Sequence, residues 1–161
     1  MLARRHNARL KPEKGLFARV DTVAIGARRV VLAVPTTYMN ESGMAVAPMI
    51  RRFDIAPEQL IVLHDELDLA PGVLRLKAGG GLAGNNGLRS IKAHARTDAF
   101  LRVRLGIGKP ISKERGADHV LDRFSKRERD VIEVTLARAA DAVEAITADG
   151  IDAAMNVFNA T

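Results

Sequence analysis

With 161 residues, 47% hydrophobic and 27% charged, the chain has the balance of a globular protein that buries a core of its own, too short for two ordinary domains and neither disordered nor fibrous. Aromatics at 4% with no Trp exclude a single-strand binder built on stacked rings, and zero cysteines exclude a disulfide framework and a thiolate metal site. The net charge of +6 either attracts polyanions such as RNA or only keeps a basic protein soluble. No apolar run reaches the length needed to cross a bilayer, and Met1 to His6 lacks the apolar core of a signal peptide, so a cytoplasmic protein is expected.

In chain order, Leu16 to Ile25 and Arg29 to Val34 are β-branched-rich runs flanking Gly26-Ala27, which predicts two strands joined by a tight turn. Met44, Ala47, Ile50 and Phe53 fall three apart, so a short amphipathic helix follows, capped by Asn40 or Ser42. Leu60 to Leu63 reads as a strand buried on both faces, ending in His64-Asp65-Glu66-Leu67-Asp68. A strand over Val73 to Lys77 leads into a Gly- and Asn-rich loop from Gly79 to Gly87, then a helix from Leu88 to Ala95 and a strand from Leu101 to Ile107. Ser125 and Glu128 have capping-box spacing, and Ile132, Leu136, Ala140 and Val143 continue a helical stripe that Gly150 ends. Strands interleaved with helices predict an α/β single domain over 1–161, with a mixed, mostly parallel twisted sheet and helices on both faces.

Polar residues gather at the ends of apolar strands, where open α/β sheets place ligand crevices. Asn40 either caps a helix or aims its amide at a substrate. Within His64 to Asp68, alternate strand residues point to opposite faces, so one metal ion cannot collect all four polar side chains. A single carboxylate, Asp65, orienting and charge-stabilising a histidine base, with the others solvated, fits better. The loop from Lys77 to Leu88 either is merely flexible or brings backbone amides and a helix N-terminus to an anion. It lacks the P-loop and dinucleotide spacings, which removes the nucleotide-binding alternative. Arg75 with Lys77, and Arg102 with Arg104, alternate on neighbouring strands, so each pair can grip a phosphate from one face. Lys109 to Arg115, with Lys113 and Arg115, form a basic connection.

Tyr38-Met39-Asn40-x-Ser42-Gly43, His64-Asp65-Glu66-Leu67-Asp68-Leu69 with Pro71-Gly72, Lys77-x-Gly79-Gly80-Gly81 with Asn86-Gly87-Leu88, and Arg104-Leu105-Gly106-Ile107-Gly108 together resemble the ordered signature of bacterial peptidyl-tRNA hydrolases over nearly the whole chain. The resemblance implies hydrolysis of the ester between a peptide and the 3′ end of tRNA, without cofactor or metal, by a monomer with no membrane partner. It implies that an aspartate, here Asp65, supports a histidine general base. Asn40 and Asn86 bind and polarise the substrate, Tyr38 lines its peptide end, and Lys77 and Arg104 clamp the tRNA 5′-phosphate.

The sequence also departs from that family. Its opening strand, G-x-G-N-P-G loop and T-R-H-N-x-x-G segment with the catalytic histidine do not stand before Leu2, and residues Leu2 to Val20 match the end of the family's first helix and the following strand. Arg5-His6-Asn7 is followed by Ala8-Arg9-Leu10 rather than by a glycine and a helix, so His6 is expected to be a surface histidine. Asn85 replaces a histidine of the family, and Ala83 a glycine. The expectation is an N-terminally truncated chain, inactive and poorly folded alone. The alternative is a non-catalytic RNA-binding relative of the same fold.

Overall fold

A computed structural model describes residues 1–110 and 112–160, without the side chains of Lys113 and Ala117; the Lys113 side chain of the basic connection therefore lies outside what is described. The chain falls into two compact units, one of Met1–Ile61 with Ala78–Leu101 and one of Val62–Lys77 with Arg102 onward.

The first unit opens with one helical turn, α1 (Leu2–Arg5), and a short strand, β1 (Lys11–Glu13). β2 (Ala18–Ile25) and β3 (Arg28–Pro35) pair antiparallel from Ala18↔Pro35 to Ile25↔Arg28, and β1 joins the free edge of β2, also antiparallel. Gly26 turns the hairpin at φ 57°, a left-handed conformation that costs glycine little. A two-residue connection can only reverse the chain, so this sheet is antiparallel throughout, and the expected mostly parallel sheet is corrected here.

A 3₁₀ turn at Met39–Glu41 leads into α2 (Ser42–Phe53), and α3 (Asn86–Ala95) packs against both. Neither expected cap of α2 is made: its N-cap is Glu41 without a side-chain bond, and the Ser42 hydroxyl donates to the Met39 carbonyl at 2.6 Å. Asn85 does cap α3, its Oδ1 accepting the Leu88 N–H at 3.0 Å. Val46, Met49, Leu88 and Ile91 are buried with Leu16 and Ala18 as the core of this unit.

The second unit carries the strands β4 (Ile61–Glu66), β5 (Leu74–Ala78) and β6 (Leu101–Gly106), in the order β4-β6-β5. Leu101 N–H donates to Leu60 O and Ile107 N–H to Glu66 O, so β4 and β6 run parallel; Gly79 N–H donates to Phe100 O and Gly106 N–H to Val73 O, so β5 is antiparallel to β6. This sheet is mixed, as expected. β4 continues through His64-Asp65-Glu66 instead of stopping before them, because the polar residues still have ladder partners on β6.

The Ser125/Glu128 capping box opens α5 (Lys126–Asp149), which Gly150 ends, and the buried Ala139, Ala140, Val143 and Ile146 form its inner stripe. α4 (Gly116–Leu121) and α6 (Ile151–Phe158) complete the unit. Just past α6, Asn159 accepts the Leu76 N–H at 2.7 Å and donates to the Leu76 carbonyl at 3.0 Å. One side chain thus satisfies an edge residue of β5 as a neighbouring strand would. No described helix is long and apolar enough to cross a membrane.

Candidate active site and phosphate site

In the first unit two asparagines lie on segments that pack against each other. Asn40 lies in the 3₁₀ turn and Asn86 is the first residue of α3, both exposed. The residues beside them touch: a Cβ on Gly87 would lie 2.9 Å from Met39 Sδ and 3.2 Å from Met39 O. A side chain there would have to shift the Met39 thioether and crowd its carbonyl. Gly43, in the first turn of α2, allows the same close approach, for a Cβ there would fall 2.2 Å from the Ser90 carbonyl oxygen. The space is used for a buried hydrogen bond, Gly43 N–H to Ser90 Oγ at 2.9 Å. Ser90 is a site-building residue that sequence reasoning missed; its signal was a hydroxyl on the inner face of a helix facing a glycine. Tyr38, preceding the turn, is 81% exposed.

The loop before α3 has the backbone its composition predicts, with Gly79, Gly80 and Gly84 at φ 61°, 81° and 75°. Ala83 sits in the same region at φ 50°, so the residue standing where the family signature has glycine adopts a glycine-like conformation. His6 is half-buried just past α1.

In the second unit Asp65, Lys77 and Arg104 stand half-buried on the three strands of one sheet, β6 lying between the other two. Alternation sets Asp65 on the opposite face of β4 from His64 and Glu66. The neighbours of Asp65 are not solvated as expected. Glu66 is 7% exposed; its Oε2 accepts the Arg104 Nε–H at 3.2 Å and is ion-paired with Nη2 at 3.2 Å, while Oε1 accepts the Asp68 N–H, also at 3.2 Å. Only Asp68 is exposed, in a surface ion pair with Lys109 at 3.0 Å.

His64 donates from Nδ1 to the Asp65 carbonyl at 2.7 Å, which leaves Nε2 buried with no partner among the described residues. Burial is the main cause that lowers its pKa from the usual 6.5, and the charge of Arg102 lowers it further, against the Asp65 carbonyl and the nearby carboxylates. That favours a structural role for the ring. Arg102, only 1% exposed, is inside, so the expected surface pair with Arg104 reduces to Arg104 alone.

The turn after β4 explains the glycines of Arg104-Leu105-Gly106-Ile107-Gly108. A Cβ on Gly106 would lie 2.1 Å from Ala70 O, and Gly108, at φ 76°, donates its N–H to Leu69 O at 2.8 Å. The last residues of β6 are therefore a cradle for Leu69 and Ala70. Among the described residues no three His, Asp or Glu side chains converge as metal ligands.

Comparison with known proteins identifies the family. The family model described as peptidyl-tRNA hydrolase matches residues 1–161. The chain is 48% identical over 168 residues to the peptidyl-tRNA hydrolase of Cutibacterium acnes, spanning 98% of this chain and 84% of that protein. It is 45% identical over 160 residues to that of Mycolicibacterium gilvum, spanning 99% and 83%. The solved structure of peptidyl-tRNA hydrolase from Acinetobacter baumannii superposes with a TM-score of 0.92 at 40% identity, covering 99% of this chain and 81% of that one. The chain belongs to the peptidyl-tRNA hydrolase family.

Proposed function

We propose that this protein hydrolyses the ester bond between a peptide, or another N-blocked aminoacyl group, and the 3′ end of tRNA, freeing tRNA that left the ribosome with its peptide attached. The carrying observation is the family match over residues 1–161, supported by the close packing of Met39 against Gly87, the chain neighbours of Asn40 and Asn86. Asp65 orients the histidine general base that the family carries in its T-R-H-N-x-x-G segment and stabilises the positive charge the ring acquires as it takes a proton from the attacking water. The amides of Asn40 and Asn86 hold the substrate and polarise its carbonyl, donating to the oxygen on which negative charge develops. Tyr38 lines the peptide end. Lys77 and Arg104 grip the 5′-phosphate, Arg104 through a guanidinium whose planar fork suits two phosphate oxygens.

This chemistry needs one copy of the chain and no cofactor or metal, and its substrate is made in the cytoplasm. The test is release of N-acetylated amino acid from N-acetylaminoacyl-tRNA by the natural protein. Cleavage of that ester, with the free aminoacyl ester left intact, supports the reading; binding of tRNA without cleavage defeats it.

A further inference from the structure

Glu66 is the buried charge that the proposed function does not use. Its carboxylate is 7% exposed at the end of β4 and fully engaged, Oε2 by Nε and Nη2 of Arg104 and Oε1 by the Asp68 N–H. The Glu66 carbonyl also accepts the Ile107 N–H at 3.1 Å, which ties its backbone to the end of β6. A carboxylate is removed from water at great cost unless it is paired and hydrogen-bonded, so this one is held in place on every side.

The bonds to Arg104 use one edge of the guanidinium. The edge formed by Nη1 and the second hydrogen of Nη2 is directed away from Glu66, and among the described residues nothing else binds Arg104. Its side chain is 21% exposed. Arg102, two residues earlier on β6 and buried, repels it, since the charge of Arg104 is one of the causes that lower the Arg102 pKa, while Glu66 opposes that shift. Without the Glu66 carboxylate, Arg104 would lose its anchor and be driven outward by its neighbour.

We propose that Glu66 is a positioning residue that fixes Arg104 so that its outer edge recognises a terminal phosphate by geometry and not by charge alone. The inference rests on the reading of Arg104 as a phosphate ligand. An arginine already ordered loses less side-chain freedom when the phosphate arrives. A loose one attracts any RNA backbone without distinguishing a terminal phosphate from an internal one.

Binding of a non-hydrolysable N-acetylaminoacyl-tRNA mimic, with a 3′-amide in place of the ester, tests this. The affinity is measured for 5′-phosphate and 5′-hydroxyl forms on wild type, Arg104→Ala, Glu66→Gln and the double variant. We expect wild type to prefer the 5′-phosphate by about tenfold, the order of one charge-assisted bond, and Arg104→Ala to lose the preference. Glu66→Gln should lose most of it while holding or raising affinity for the 5′-hydroxyl form at low salt, since a negative charge has gone. The double variant should match Arg104→Ala.

General structural damage would lower both affinities together, and that result overturns the proposal. A preference that survives Arg104→Ala defeats the phosphate reading itself. One lost in Arg104→Ala but intact in Glu66→Gln defeats only the role of Glu66. Should Glu66→Gln fail to fold, the wild type decides by nitrogen-15 NMR. The Nε–H signal absent from Arg104→Ala must be protected from solvent exchange, and exchange as fast as in exposed arginines contradicts the proposal.

Discussion

Ser90 Oγ accepts the backbone N–H of Gly43 at 2.9 Å, at a place where a Cβ on Gly43 would fall 2.2 Å from the Ser90 carbonyl oxygen. This contact locks the first turn of α2 to α3, the two elements that Asn40 precedes and Asn86 begins. Gly43→Ala forces a side-chain atom onto a backbone oxygen that cannot swing away, and should destabilise the protein by about 3 kcal/mol, the upper range for overpacking. Ser90→Ala leaves a buried N–H unpaired and should cost about 1–3 kcal/mol. Thermal melts check both. At a temperature where the variants stay folded, KM for peptidyl-tRNA should rise; an unchanged Tm in Gly43→Ala would show that the helices are not packed this closely.

Acid should weaken the fold through His64. Its folded-state pKa lies below the usual 6.5, so as pH falls through that value the unfolded chain takes up the proton first. The stability His64 contributes is complete above about pH 6.5 and is lost as pH falls toward the folded-state value. His64→Gln, which stays neutral, should flatten the dependence of urea-unfolding stability on pH between about 5 and 7. A slope unchanged by the substitution would assign the acid sensitivity to another group.

The Gly-rich loop carries one strained residue. Ala83 stands at φ 50°, a conformation that costs a non-glycine residue about 1–2 kcal/mol. Ala83→Gly relieves it, partly offset by the greater freedom glycine gains when unfolded, about 0.5–1 kcal/mol. The net expectation is a small rise in Tm, and a fall would show that the Ala83 methyl makes contacts outweighing the strain.

The basic residues proposed for tRNA make a separate prediction. Lys77→Ala or Arg104→Ala should weaken binding of peptidyl-tRNA by about 1–3 kcal/mol and make the affinity less steep in salt. Affinity and salt slope both unchanged would remove these two residues from the interface.

The features of this molecule legible in its sequence are those governed by local rules. The hairpin around Gly26-Ala27, the capping box of α5 and the strand that begins at Leu101 each follow from spacing and turn chemistry within a few residues, whereas the stripe expected for α5 is buried only at Ala140 and Val143, Leu136 being exposed. What was not legible depends on partners far along the chain. The edge backbone of Leu76 is satisfied by Asn159, 83 residues away, and Glu66 is buried because Arg104, 38 residues on, neutralises it. The expected parallel character failed where a two-residue turn forced β2 and β3 antiparallel. The same holds for the proposed site: alternation separates Asp65 from Glu66, but only the fold shows that Arg102 is inside and Arg104 at the surface, and why Gly106 and Gly108 must be glycines.

The central claim, that this family member is a tRNA-directed esterase in which Asp65 supports the base, is tested most directly by initial rates of N-acetylaminoacyl-tRNA hydrolysis by the natural protein and by Asp65→Ala. The account predicts measurable ester cleavage that a chelator leaves untouched. In Asp65→Ala it predicts a kcat lower by about a hundredfold or more, as loss of general-base assistance gives, with KM changed by less than about threefold, because the interaction strengthens only as the base becomes charged. Tight tRNA binding with no ester cleavage, or a kcat unchanged by Asp65→Ala, would contradict it.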